Sequence, residues 1–142
     1  PVCYERKEIS SICQLEGIRG RVLDMTLEIL SGDYQEFTIC IAQDKCHHTQ
    51  FTYYKEKNAV EIDRTYSGMV RDALASRRVA IKNPADKAII RIILDKYSVE
   101  IFVNNGSQVL STTFYTPLEA DEISFVCDGT ALTNIKKYEI TL

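Results

Sequence analysis

Between Leu94 and Leu110 the sequence LDKYSVEIFVNNGSQVL carries two carboxylates, Asp95 and Glu100, beside Lys96, Tyr97 and Ser98. Paired carboxyl groups are the machinery of glycoside hydrolysis, which sets them roughly 5 to 5.5 Å apart for retention of configuration and 6.5 to 9.5 Å apart for inversion. On one continuous strand the odd interval from Asp95 to Glu100 sends the two side chains to opposite faces. A turn at Lys96 and Tyr97 would let them approach, but within a hairpin that implies no cleft. The residues favour a structural role, with Asp95 and Lys96 in a turn and Glu100 paired to a basic neighbour, because ion pairs of that kind also serve structure.

A second polar cluster, Asp63-Arg64-Thr65-Tyr66-Ser67-Gly68, closes an alternating segment. Its residue types suit a strand end folding over itself, with side-chain oxygens satisfying backbone donors. Fixed polar groups beside aromatic faces also suit a sugar, so Asp63, Arg64, Tyr66, Tyr97 and Glu100 are the candidate sugar-binding or structural polar residues. Cys46-His47-His48 places metal-ligand types on adjacent residues, and with two histidines in the whole chain a four-ligand zinc site would need distant cysteines or carboxylates. A polar loop is the simpler reading. No metal and no cofactor is called for. Neither histidine stands in a nucleophile arrangement, and there is no nucleophile elbow or phosphate-cradling glycine loop.

The elements that would position these residues are strands. Leu23, Met25, Leu27 and Ile29 alternate with Asp24, Thr26 and Glu28, and the same period of two recurs at Phe37, Ile39 and Ile41, at Phe51 and Tyr53, and at Val60 and Ile62. Val79 and Ile81 follow a looser stretch. Ala88 to Leu94, AIIRIIL, reads as a central strand covered on both faces. Val99, Ile101 and Val103 alternate up to Asn104-Asn105-Gly106, a hairpin turn because Asn and Gly tolerate positive φ, and the return strand is Gln108 to Phe114. Glu122 to Cys127 and Ala131 to Ile140 complete the set, separated by a tight turn at Asp128-Gly129-Thr130. Val70 to Arg78 is the one helix-like window, and without an apolar stripe it reads as a loop or a short turn. About ten short strands with turn signals roughly every 8 to 12 residues predict an all-β chain, an antiparallel two-sheet β-sandwich of jelly-roll or concanavalin-like type. Residues 1–20 lack clean alternation and read as a linker, with the β-sandwich domain over 21–142.

Composition agrees with a globular domain: 142 residues, 45% hydrophobic and 26% charged, are enough for one core. A net charge of -3 with both signs interleaved argues against nucleic-acid or anionic-membrane partners. No apolar run reaches the length of a membrane span, and PVCYERKEIS lacks the features of a secretory signal. The start at Pro1 rather than methionine reads as a processed or excised piece. Five scattered cysteines cannot all pair, which points to a reducing compartment and hence the cytoplasm.

Three segments in order, VEIDRTYSG, IIRIILDKYSVEIFVNNGSQVLSTTFY and ISFVCDGTALTNIKKYEI, together look like the C-terminal β-sandwich module of glycoside hydrolase family 32, the invertases, sucrose-6-phosphate hydrolases, levanases and inulinases. The resemblance runs from about Val22 to the end, and PVCYERKEIS resembles the connector by which such enzymes leave their catalytic domain.

The resemblance implies a parent that is a retaining β-fructosidase working through a covalent fructosyl enzyme. Its catalytic residues would lie in an N-terminal five-bladed β-propeller, in Asn-Asp-Pro-like, Arg-Asp-Pro and Glu-Cys segments. None of these occurs here. Arg71-Asp72-Ala73 echoes the second but lacks the proline, so no catalytic residue is carried over. The implied function is a non-catalytic module that stabilises and orients the propeller, its partner in the same polypeptide, with self-association expected when the module is isolated. The alternative is a carbohydrate-binding module for fructose-containing glycans, for which the sequence offers no tryptophan and dispersed tyrosines. Whether the parent takes sucrose, sucrose 6-phosphate, levan or inulin is not encoded in these residues.

Overall fold

A computed structural model describes residues 1–65, 76–81, 87–106 and 108–141. Among the described residues there are ten strands and no helix: β1 (Val2–Cys13), β2 (Leu23–Gly32), β3 (Glu36–Gln43), β4 (Thr49–Tyr54), β5 (Ala59–Asp63), β6 (Ser76–Ala80), β7 (Ala88–Asp95), β8 (Ser98–Val103), β9 (Gln108–Thr113) and β10 (Glu122–Glu139). All pairings are antiparallel.

The strands form one curled sheet in the order β6-β5-β4-β3-β10-β2-β7-β8-β9, with β1 also on β10. The register explains how one sheet makes two layers. Residues 131–139 of β10 pair with β2, while residues 122–127 pair with β3, and β1 accompanies β10 through both parts. Three irregularities coincide where the partner changes: the shift in β1 between Ser10 and Ser11, the break between β2 and β3, and Asp128 to Thr130 in β10. At that corner the long strands pass from the β2-β7-β8-β9 layer into the β3-β4-β5-β6 layer. A bulged corner is a known way for strands to switch sheets in a sandwich.

The predicted tight turn at Asp128-Gly129-Thr130 is therefore a corner inside a single 18-residue strand. The chain bends there without leaving its ladder. Thr130 donates its amide to Asp33 Oδ1 at 2.7 Å, and Asp33 donates its own to the Thr130 carbonyl at 3.1 Å. Gln35 and Glu36 donate theirs to Asp128 Oδ1 at 2.8 and 3.1 Å. Two glycines allow the approach: a Cβ on Gly32 would lie 2.2 Å from the Thr130 carbonyl oxygen, and one on Gly129 would lie 2.7 Å from Asp33 Oδ1.

The alternation read from the sequence points inward as expected, with Leu23, Met25, Leu27, Ile90, Ile92, Val99 and Ile101 facing Phe37, Ile39, Phe51, Val60 and Phe125 in one continuous core. Two expectations differ. Ala88 to Leu94 is covered on one face only: Ile89 and Ile93 stay half-buried on the outer face, where the exposed Arg91 pairs with Asp24 at 2.6 Å. Double cover belongs to sheets with helices on both sides, and this antiparallel sandwich leaves its outer face to solvent. Residues 2–13, within the stretch read as a linker ahead of the first strand, form β1. Its apolar alternation is broken because it is bulged twice, with Arg6 and Ser11 at φ 49° and 55°, and because most of its side chains are exposed. In the helix-like window, Ser76 to Arg78 belong to β6, and the remainder lies outside the described residues.

Candidate functional site

Asp95 and Glu100 sit on consecutive strands of a hairpin. Asp95 pairs with Ser98, and Ile93 pairs with Glu100, so Lys96 and Tyr97 form a two-residue connection. The register puts both carboxylates on the outer face as diagonal neighbours, a placement that leaves them roughly 7 to 8 Å apart. That spacing alone would suit a carboxylate pair, but both residues are exposed and the face has no walls. Asp95 Oδ1 accepts the Lys96 amide at 2.7 Å, the job of a turn residue. Among the described residues Glu100 forms no ion pair, which corrects the expectation of a basic partner on it.

Glu100 instead lines an open depression of about 370 Å³ with Arg64, Ser98, Val99 and residues 111–113. Arg64 arrives from the end of β5 and donates through Nη1 to the Thr113 carbonyl at 3.3 Å, so the two layers meet here. Asp63 turns the other way, its Oδ1 accepting the Thr65 amide at 2.8 Å and hydroxyl at 2.6 Å. Tyr66 lies outside the described residues, as do Arg71, Asp72 and Ala73. Tyr97 stands 48% exposed at the hairpin tip. Of the five candidate residues the structure thus brings Arg64 and Glu100 together, with Tyr97 adjoining them through Ser98. A general acid needs a dry pocket to hold its proton, and this open depression supplies none.

Asn104, Asn105 and Gly106 at the far end of β8 have φ of 50°, 58° and 91°, the left-handed turn their residue types called for. The Asn104 side-chain oxygen accepts the Ile89 amide at 3.1 Å and its own amide donates to the Ile89 carbonyl at 2.7 Å, locking the hairpin to β7.

At Cys46-His47-His48, Asp44 organises a loop. Its Oδ1 accepts the amides of Cys46 at 2.8 Å and His47 at 2.7 Å, with the His47 ring nitrogen Nδ1 at 3.0 Å. Those donors, the Cys46 amide first and the His47 ring next, hold the Asp44 carboxyl below the usual carboxylate range. Among the described residues no three histidine, cysteine, aspartate or glutamate side chains converge as a metal set.

Sequence reasoning passed over Arg21. It is 7% exposed, and its guanidinium donates to the carbonyls of Lys96, Pro117, Ala120 and Thr116 while lying 5.6 Å from the Tyr97 ring centroid and 5.1 Å from that of Phe114. Burial pulls its pKa down, and Tyr97, Asp121 and Glu119 partly offset that. A lone arginine at a strand entrance gives no periodic signal, because its partners are carbonyls of residues 75 to 99 positions away. Its effect is to rivet the β7–β8 tip to the segment after β9.

Comparison with known proteins accords with this geometry. Residues 4–141 match the family described as "Glycosyl hydrolases family 32 C terminal". The sucrose-6-phosphate hydrolase of Staphylococcus xylosus is 25% identical over 130 residues, covering 89% of this chain and 26% of that protein. A probable sucrose-6-phosphate hydrolase of Vibrio cholerae is 29% identical over 84 residues, 59% of this chain and 15% of its own length. The chain therefore spans about a quarter or less of the curated relatives it matches. Among solved structures, exo-inulinase from Aspergillus awamori superposes with a TM-score of 0.84 at 19% identity, covering 99% of this chain and 29% of that one. Sucrose-6-phosphate hydrolase from Lactobacillus gasseri gives 0.75 at 18% identity, covering 98% and 28%. The chain belongs to glycosyl hydrolase family 32, and it is the β-sandwich C-terminal domain of that family.

Proposed function

We propose that this domain is the non-catalytic module of a retaining β-fructosidase, stabilising and orienting a catalytic β-propeller that precedes it in the same polypeptide. One observation carries the reading: the chain's own carboxylate pair, Asp95 and Glu100, is exposed on a sheet face, where Glu100 lines an open depression rather than a walled cleft. A sandwich with a continuous core and no walled pocket at its acids has a surface to offer, and a partner domain is what such a surface serves. Sucrose 6-phosphate is the substrate we assign to the whole enzyme, on the strength of the curated relatives. Five free thiols support a reducing, cytoplasmic location.

The test is deletion. Removing residues 1–142 from the encoded polypeptide should lower the melting temperature of the propeller by several degrees and reduce sucrose 6-phosphate hydrolysis with it. A propeller that kept both its melting temperature and its activity would refute the role.

A further inference from the structure

We propose that the outer face of the layer formed by β1, β10, β2 and β7 binds a phosphorylated sugar, with Arg6, Lys87 and Lys136 taking the phosphate and Thr26, Glu28 and Asn134 the hydroxyls. This site is separate from the Asp95–Glu100 hairpin, and it does not depend on the scaffolding role.

The register builds the floor. Cys3 pairs with Lys136, Lys136 with Thr26, Thr26 with Arg91 and Arg91 with Phe102, one row of residues crossing β1, β10, β2, β7 and β8. Side chains directly opposite one another in such a row share one face of the sheet. Thr26 is the small residue at its middle. Toward β1 and β10 a depression of about 680 Å³ opens beside it, bordered by Arg6, Lys87, Lys136, Asn134 and Glu28. On the other side of Thr26 a second depression, of about 370 Å³, lies over Arg91 and Phe102. Both volumes fall in the range that small ligands occupy.

The bulge in β1 is what brings Arg6 to this face. Tyr4 pairs with Ile135 and Lys7 with Thr133, so Glu5 and Arg6 stand as two residues against Asn134 alone. Arg6 takes a φ of 49°, rare for a residue with a long side chain, and its amide donates to Asn134 Oδ1 at 2.8 Å. Asn134 Nδ2 donates in turn to Glu28 Oε1 at 3.4 Å. Bulges re-aim side chains, and here one asparagine sets Arg6 and Glu28 around a common space.

The charges point to the class of ligand. The whole chain carries a net charge of -3, yet the larger depression is bordered by three cations, Arg6, Lys87 and Lys136, against two carboxylates, Glu5 and Glu28. Among the described residues no acidic side chain forms an ion pair with any of the three. A guanidinium and two ammonium groups around one space suit the oxygens of a phosphate monoester. A bare phosphate would meet Glu5 and Glu28 as like charges, and a neutral sugar would leave the cations unused. A sugar phosphate uses both sets, its hydroxyls donating to the carboxylates and to Asn134. The half-buried ring of Phe102, past Thr26, offers its face to a second sugar ring.

Isothermal titration calorimetry of the 142-residue chain tests this with four probes: glucose 6-phosphate, sucrose 6-phosphate, sucrose and inorganic phosphate. The proposal expects both sugar phosphates to bind saturably and about tenfold or more tighter than sucrose or phosphate, since one charge-assisted contact is worth about that factor. Arg6→Gln should weaken sugar-phosphate binding by about tenfold. Thr26→Arg, which fills the floor from the outer face, should abolish it, and Lys57→Gln, between β4 and β5, should leave it unchanged. No saturable heat from either sugar phosphate would overturn the site. Inorganic phosphate binding as tightly as the sugar phosphates would reduce it to an anion patch, and sucrose doing so would remove the cations from the account; either result overturns the proposal. So would sugar-phosphate binding that survived both Arg6→Gln and Thr26→Arg. The deletion test of the scaffolding role is unaffected by any of these results.

Discussion

Asp33 and Asp128 face each other across the corner of the sandwich, each carboxylate receiving amide hydrogens from the other's strand: Thr130 donates to Asp33, and Gln35 and Glu36 donate to Asp128. This exchange gives partners to backbone amides at the bend. It lets one sheet fold into two layers without a break in β10.

The corner should be intolerant of added atoms. Gly32→Ala sets a methyl against a backbone oxygen that has no room to retreat, and we expect a loss of about 2 to 4 kcal/mol in urea denaturation. Asp128→Ala, which leaves two exposed amides to water in place of their carboxylate acceptor, should cost about 0.5 to 1.5 kcal/mol. A Gly32→Ala protein as stable as the parent would show that the corner is looser than drawn.

Arg21 should matter more than its place in the sequence suggests. Arg21→Leu strands several carbonyl acceptors and is expected to lower stability by about 2 to 4 kcal/mol. Arg21→Lys should recover only part of this, since an ammonium cannot reproduce the planar fork. Equal stability of the lysine variant and the parent would mean that charge alone suffices.

The Asp44 loop predicts a dependence on acid. Its carboxyl titrates lower in the folded chain than in the unfolded one, so the stability it contributes is complete above the ordinary carboxylate pKa of about 4 and is lost as pH falls through the folded value. The stability difference between the parent and Asp44→Asn should shrink as the pH falls below the ordinary carboxylate pKa of about 4. A difference unchanged down to the acid transition would remove Asp44 from the account.

Thiol reactivity should sort by depth. Cys40 and Cys127 are buried, and burial raises both pKa values, whereas Cys3 and Cys46 are exposed. A disulfide reagent at neutral pH should modify Cys3 and Cys46 rapidly, and Cys40 and Cys127 only on unfolding. Rapid labelling of Cys127 would indicate that the layers part near the corner.

Much of this was legible before the structure. Leu23 to Ile29 and Val99 to Val103 fix their faces by a period of two, and Asn104-Asn105-Gly106 names its own hairpin, because in each case neighbouring residues hold the information. What escaped depends on distant groups. Asp128-Gly129-Thr130 carries turn chemistry, and only Gly32 and Asp33 on another strand make it a corner. β1 is legible only beside β10, whose side chains cover what few apolar groups it has. Asp95 and Glu100 were correctly read as hairpin residues, but the grouping of Glu100 with Arg64 joins two layers that no sequence interval connects.

We propose that the work of this chain is architectural and assign no chemistry to its acids. Incubating the purified 142-residue chain with sucrose and with sucrose 6-phosphate, and measuring released hexose, tests that most directly. We predict no release above buffer, and none altered by Asp95→Asn or Glu100→Gln. Hexose release by the chain alone, abolished by either substitution, would contradict the account.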